Sequence, residues 1–229
     1  MRRNSKLIFT ALSVLLIVSS CKKDNTPSTP VYTVPTTYNF ANVSYSGQLV
    51  LLAMADQIVA KINLANTIPG TAVSAQTLKD MFNNVNGNFN DSALQLNNSG
   101  LRLADYCSPL AKTDVLSYFD SVGTFSQSTV AAGPGVAGVS ASSASPTKKY
   151  LLSPNGVFYS QVVKKAVMGG ICNYMIDRYL TDSIASTIDN TTVVSGSGTA
   201  LEHHWDEAFG FFGVPINFPT STTGLRYLA

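Results

Sequence analysis

The stretch Glu202-His203-His204-Trp205-Asp206-Glu207-Ala208-Phe209-Gly210-Phe211-Phe212-Gly213 holds both histidines, both glutamates and the single tryptophan of the chain. At about 100° per residue, Leu201, Trp205, Ala208, Phe209 and Phe212 share one helical face, and Phe211 extends that arc on one side. Thr199 stands where an N-cap belongs. The spacing therefore predicts a helix that enters the core through this apolar arc. His204 falls inside the arc and Glu207 at its edge, whereas His203 and Asp206 point to the opposite, more solvated side.

Working outward, the rest of the body reads as helices separated by polar loops. Leu49, Leu52, Ala53, Val59 and Ala60 keep helical spacing between Gly47 and Asn66. Ser74 is a natural N-cap for a second helix through Leu78, Met81 and Phe82. A third is expected through Ala93, Leu94, Leu101, Leu103 and Ala104, and a fourth through Leu110, Val115, Leu116, Tyr118 and Phe119, ending near Gly123. Residues 129 to 147 carry no charge and are mostly Ala, Gly, Ser, Val and Pro, which reads as a mobile insertion. A long helix follows from near Asn155 to Tyr179, and its Gly169-Gly170 pair would let a neighbour approach closely. Ser195-Gly196-Ser197-Gly198 is a flexible link. No alternating strand pattern of useful length is present, so the expected fold class is all-α, a helical bundle.

The chemistry that the clustered stretch can support follows from its spacing. Residues three and four apart meet on one helix face, the arrangement that metal binding and acid/base work both use. His204 and Glu207 are the principal metal-ligand candidates, because a buried imidazole beside a carboxylate can bind a cation or pass a proton. A His-Glu hydrogen bond that merely closes a bundle is the alternative. His203, Glu202 and Asp206 are lesser candidates; His203 and Asp206 also read as a surface pair. Any third ligand has to be Asp or Cys, since no further histidine exists. Asp56, in a largely apolar helix, is the first to inspect, although a solvated face shared with Gln48 and Asn63 is the simpler account of it. Histidine with carboxylates suits iron or another divalent cation such as calcium. The His-Glu-x-x-His arrangement of zinc peptidases, the phosphate loop and the nucleophile elbow are all missing from the sequence.

The N-terminus bears on where such a site would work. Arg2, Arg3 and Lys6 precede an apolar run from Leu7 to Val18, then Ser19, Ser20 and Cys21. This is the layout of a secretory signal over residues 1 to 20. About 12 apolar residues fall short of the roughly 20 that cross a bilayer. Residues 21 to 37 would form a tether, leaving 38 to 229 as the helical domain. Removing the signal leaves twelve basic residues against thirteen acidic, a net charge of −1. The composition therefore supports no nucleic-acid role. Cys107 and Cys172 remain, and an oxidising compartment would permit a disulfide, although two buried thiols fit equally well.

Three resemblances join these readings. Val18-Ser19-Ser20-Cys21 resembles the lipobox of bacterial lipoproteins, which implies acylation at Cys21 and attachment to a membrane by a lipid anchor. Lys22-Lys23 in the following positions implies the outer membrane of a Gram-negative cell. His204 to Gly213 resembles the His-x-x-Glu helix of imelysin-like proteins. The wider string from Glu202 resembles the signature of a family of uncharacterised bacterial lipoproteins. The resemblance implies an all-helical, imelysin-like envelope protein that binds iron, another metal or a metal-bearing ligand through His204 and Glu207. A metallopeptidase of imelysin type and a structural or interaction lipoprotein without metal are the alternatives. Glu202 replaces the usual glycine two residues before the motif histidine, Asp206 replaces an aliphatic residue, and Gly213 falls one place late. Resembled proteins are longer, which leaves open that this chain is the first part of a two-bundle protein, truncated at its C-terminus.

Overall fold

The computed structural model describes residues 42–67, 71–90, 93–181, 188–218 and 220–228. The expected signal, Cys21 and the tether lie outside the described residues. Five α-helices are present among those described: α1 (Ser46–Asn63), α2 (Ala75–Phe82), α3 (Pro109–Phe125), α4 (Tyr159–Met175) and α5 (Ala200–Phe212). A π-helix, Ile176–Thr181, continues α4 directly.

The local signals act as their chemistry requires. Ser74 caps α2, its hydroxyl accepting the Thr77 N–H at 3.2 Å. Pro109 occupies the first turn of α3, where its missing N–H removes no helical bond. Helix α1 buries Leu51, Leu52, Met54, Ile58 and Ile62, and these meet Val163, Val167 and Ile171 of α4 in one core. Phe82 and Phe119 join α2 to α3 edge to face at 5.8 Å between centroids. By length and apolarity Ser46–Asn66 could cross a bilayer, but its large side chains fill this core.

The all-α, imelysin-like bundle expected from the sequence is not what forms. Two short strands, β1 (Gly138–Ala141) and β2 (Lys149–Leu152), pair antiparallel, with Val139 opposite Leu151 and Ser140 opposite Tyr150. The fold is mixed α/β, mostly helical. The uncharged segment read as an insertion therefore folds back as a hairpin. Val139 and Leu151 enter the core, and the Leu151 N–H donates to Asn66 Oδ1 at 2.9 Å.

The helix expected between Ala93 and Ala104 also does not form; two 3-10 turns, Leu96–Asn98 and Leu103–Tyr106, stand there. Asparagine side chains compete for the backbone bonds a helix would need. Asn84 Nδ2 donates to the Leu96 and Leu101 carbonyls, while Asn97 bonds both the N–H and the C=O of Phe89.

Glycine contacts set how closely the helices pack. A Cβ on Gly170 would lie 2.9 Å from Ala111 Cβ and 3.2 Å from Cys107 Sγ, so α4 meets α3 closely there, whereas Gly169 faces open space. A Cβ on Gly210 would lie 2.5 Å from Tyr45 Cβ and 2.9 Å from Gln48 Cβ. This second approach seats α5 against the start of α1.

Candidate functional site

Helix α5 begins as its sequence predicts. Thr199 Oγ1 accepts the Glu202 N–H at 3.2 Å, and Glu202 Oε2 accepts the Thr199 N–H at 2.8 Å, a complete capping box. Glu202, a lesser metal candidate by sequence, is thereby engaged in holding the helix end. Gly213 closes the helix with φ of 71°, a left-handed conformation that glycine adopts without strain.

The orientation of α5 departs in part from the expected one: Ala208 and Phe211 of the predicted arc are buried, but its other end turns outward. Trp205 is 48 % exposed and Phe212 54 %, so two central residues of the apolar arc face solvent. Asp206, expected on the solvated side, is 3 % exposed. The buried residues of the helix are Asp206, Ala208, Gly210 and Phe211, with His203, His204 and Glu207 half-buried. Close backbone approach at Gly210 and the partners available to the polar side chains account for this rotation.

Those partners are specific. Asp206 Oδ2 accepts the Ser44 N–H at 3.1 Å, one residue before the N-cap Tyr45 of α1, and so ties the chain entering α1 to α5. Glu207 Oε1 accepts Gln48 Nε2 at 3.2 Å and the Tyr179 hydroxyl at 3.5 Å. Gln48, read from sequence as part of a solvated face, is 4 % exposed. His204 lies edge-on to Tyr179 with ring centroids 5.7 Å apart. His203 Nδ1 is buried and has no hydrogen-bond partner among the described residues.

Tyr179 is the residue that sequence reasoning missed. It sits in the π-helix, a distortion that frequently marks a functional position, and it touches both members of the predicted pair. Its ring also stacks on Phe211 and meets Tyr174 edge to face. Burial first, then the Glu207 carboxylate, push its phenol well above the ordinary range. Tyr106 is raised for the same reasons, with Tyr174 also contributing. Neutral phenols around one carboxylate form a hydrogen-bonding environment more than a proton-transfer one.

The remaining candidates do not complete a metal centre. Among the described residues, no three His, Cys, Asp or Glu side chains converge as a ligand set. Asp56 is exposed on α1, and the charged neighbours that act on its carboxylate are Arg226 and Lys164. Cations beside it disfavour a metal ion. Cys107 and Cys172 are free thiols, and burial pushes Cys107 up to about 12. Zinc hydrolysis requires three protein ligands and an open position.

Two hollows lie nearby. A groove of about 820 Å³ between α3 and α4 is lined by Asp105, Asp114, Tyr174, Asp177 and Arg178 and includes no residue of α5. A smaller hollow of about 360 Å³ is lined by Asp189, Thr192, Val194, Thr199 and His203. The Asp189 carboxyl is held below its usual range by hydrogen bonds from Thr191 and Thr192.

These features define a mostly helical α/β domain whose C-terminal helix turns a polar, hydrogen-bonded face inward. A family model described as a domain of unknown function (DUF4856) matches residues 35–228, and the chain belongs to that family. No curated protein and no solved structure matches the chain.

Proposed function

We propose that the protein is a lipid-anchored envelope protein, acylated at Cys21, that acts by binding a partner and not by hydrolysis. The signal-like residues 1 to 20 and the lipobox-like Val18-Ser19-Ser20-Cys21 support the anchor. The observation that carries the rest is the use of every carboxylate on α5 in a structural hydrogen bond. Glu202 caps its own helix, Asp206 holds the Ser44 N–H just before α1, and Glu207 holds Gln48 and Tyr179. A carboxylate engaged in this way is not poised as a general base, and an imelysin-type metallopeptidase would lack its ligand set among the described residues.

A second reading retains the imelysin-like resemblance: His204 and Glu207 hold iron or another divalent metal, or a metal-bearing ligand. Their shared contact with Tyr179 favours it, because it brings both side chains to one place. The metal or its ligand would then supply the remaining coordination.

Elemental analysis of the purified chain separates the two readings, alongside His204→Ala and Glu207→Ala. The first reading predicts no stoichiometric metal after incubation with iron, zinc or calcium. Stoichiometric metal in the parent that is lost in both variants would transfer the assignment to the second. Labelled fatty acid incorporated by the parent and absent from Cys21→Ser tests the anchor separately.

A further inference from the structure

Helix α5 presents Trp205 and Phe212 to solvent, with Leu201 and Phe209 half-buried beside them. Leu201, Trp205, Phe209 and Phe212 fall within an arc of about 80°, and Glu202 is the one charged side chain beside them. Its carboxylate is already bonded to the Thr199 N–H at the helix end. Beyond Gly213, Ile216 and Phe218 are also exposed. Clustered exposed aromatic residues of this kind mark an interaction surface more often than scattered ones do.

The described chain begins at the rim of this face. The Ser44 N–H is bonded to Asp206, and the Tyr45 ring meets Phe209 edge to face at 5.4 Å. The first described residues of the domain therefore lie beside α5. About 20 residues separate them from Cys21, which at full extension span no more than about 70 Å. An acyl chain at Cys21 would thus hold the domain within that distance of the bilayer, with the start of its chain beside α5.

We propose that the Trp205–Phe212 face of α5 rests on the phospholipid interface to which the acylated Cys21 attaches the protein. This rests on the lipoprotein reading above. The Trp205 indole favours the headgroup level, where its apolar body can be buried while its N–H stays wet, and the phenyl rings beside it bury fully apolar surface just below. An apolar face seated there adds to an acyl anchor in the same way that a second signal does in other peripheral proteins. The near absence of charge on the face removes the desolvation cost that a charged helix surface would carry.

Trp205 is the chain's single tryptophan, so its emission reports this face alone. The full acylated chain would be reconstituted in phosphatidylethanolamine vesicles with and without brominated acyl chains. The proposal predicts that bromines near the headgroup boundary roughly halve Trp205 emission, since interfacial apolar faces sit about 5–10 Å deep. Phe212→Ser, at an exposed position, would weaken that quenching while leaving the far-UV spectrum intact. Unquenched emission from protein that floats with the vesicles would overturn the proposal. So would a concentration-dependent dimer in which Trp205 is already shielded without lipid, because a second copy would then cover the face. Absence of an acyl group at Cys21 by intact mass would sink the anchor reading alone. Quenching of the unacylated chain by added vesicles would then still decide the face.

Discussion

The Asp206 carboxylate on α5 accepts the Ser44 N–H at 3.1 Å, so the last described helix pins the chain just before the first. The two residues are 162 positions apart in sequence. Asp206→Ala would leave that N–H without its acceptor and is expected to cost about 1–2 kcal/mol. Asp206→Asn retains an acceptor oxygen and should recover part of the loss. Urea midpoints of the three proteins measure it.

The rotation of α5 makes two aromatic truncations behave oppositely. Phe211 is fully buried, and Phe211→Ala is expected to destabilise by about 3–5 kcal/mol. Trp205→Ala should stay within about 0.5 kcal/mol of the parent, as surface changes do. Equal losses would mean that the apolar arc faces the core after all. Parallel denaturation curves distinguish the cases, and Trp205 in the parent should be readily quenched by acrylamide.

Gly210 tests the helix contact itself. An added Cβ would fall 2.5 Å from Tyr45 Cβ, so Gly210→Ala must separate α5 from α1 or distort both. A cost of about 1–3 kcal/mol is expected despite the better helix propensity of alanine. Gly169→Ala, which meets nothing within 4 Å, is the matched control and should be neutral or stabilising. Thermal melts of the pair give the comparison directly.

Stability should fall on the alkaline side. Burial raises Cys107 from 9.0 to about 12, and Tyr179 and Tyr227 are raised as well, chiefly by burial. Each group has its folded pKa above its unfolded one, so its contribution is fully present below the unfolded pKa. It is lost as pH rises through the folded value. For Cys107 that window runs from about pH 9 to about 12. Denaturant midpoints for the parent and Cys107→Ala should therefore diverge in their pH dependence across it. Identical profiles would contradict the burial of this thiol.

Much of the helical framework was legible because it rests on local chemistry. Ser74 and Thr199 announce their caps, and the spacing of Leu52, Ala53 and Val59 identifies α1. The hairpin was not legible, since four-residue strands such as Gly138–Ala141 are too short to show alternation and are built of small residues. The direction in which α5 faces was hidden for a different reason. Periodicity reveals an apolar face without saying whether that face meets the core, and the partners of Asp206 and Glu207 come from α1 and the π-helix. One available signal was Gly210, four residues after Asp206 on the polar side, where a missing side chain permits close contact. Within the candidate site, His204 and Glu207 do share a neighbour, but that neighbour, Tyr179, lies beyond the reach of any local pattern.

Glu207 serves a structural hydrogen bond to Gln48, and a double-mutant cycle between the two residues measures it. Gln48→Ala, Glu207→Ala and the double variant would be unfolded in urea under chelating conditions. The account predicts that the two losses are not additive, with a coupling of about 0.5–1.5 kcal/mol from the bond between them. Additive losses, together with a stability of the parent that drops when metal is chelated, would contradict it and make Glu207 a ligand.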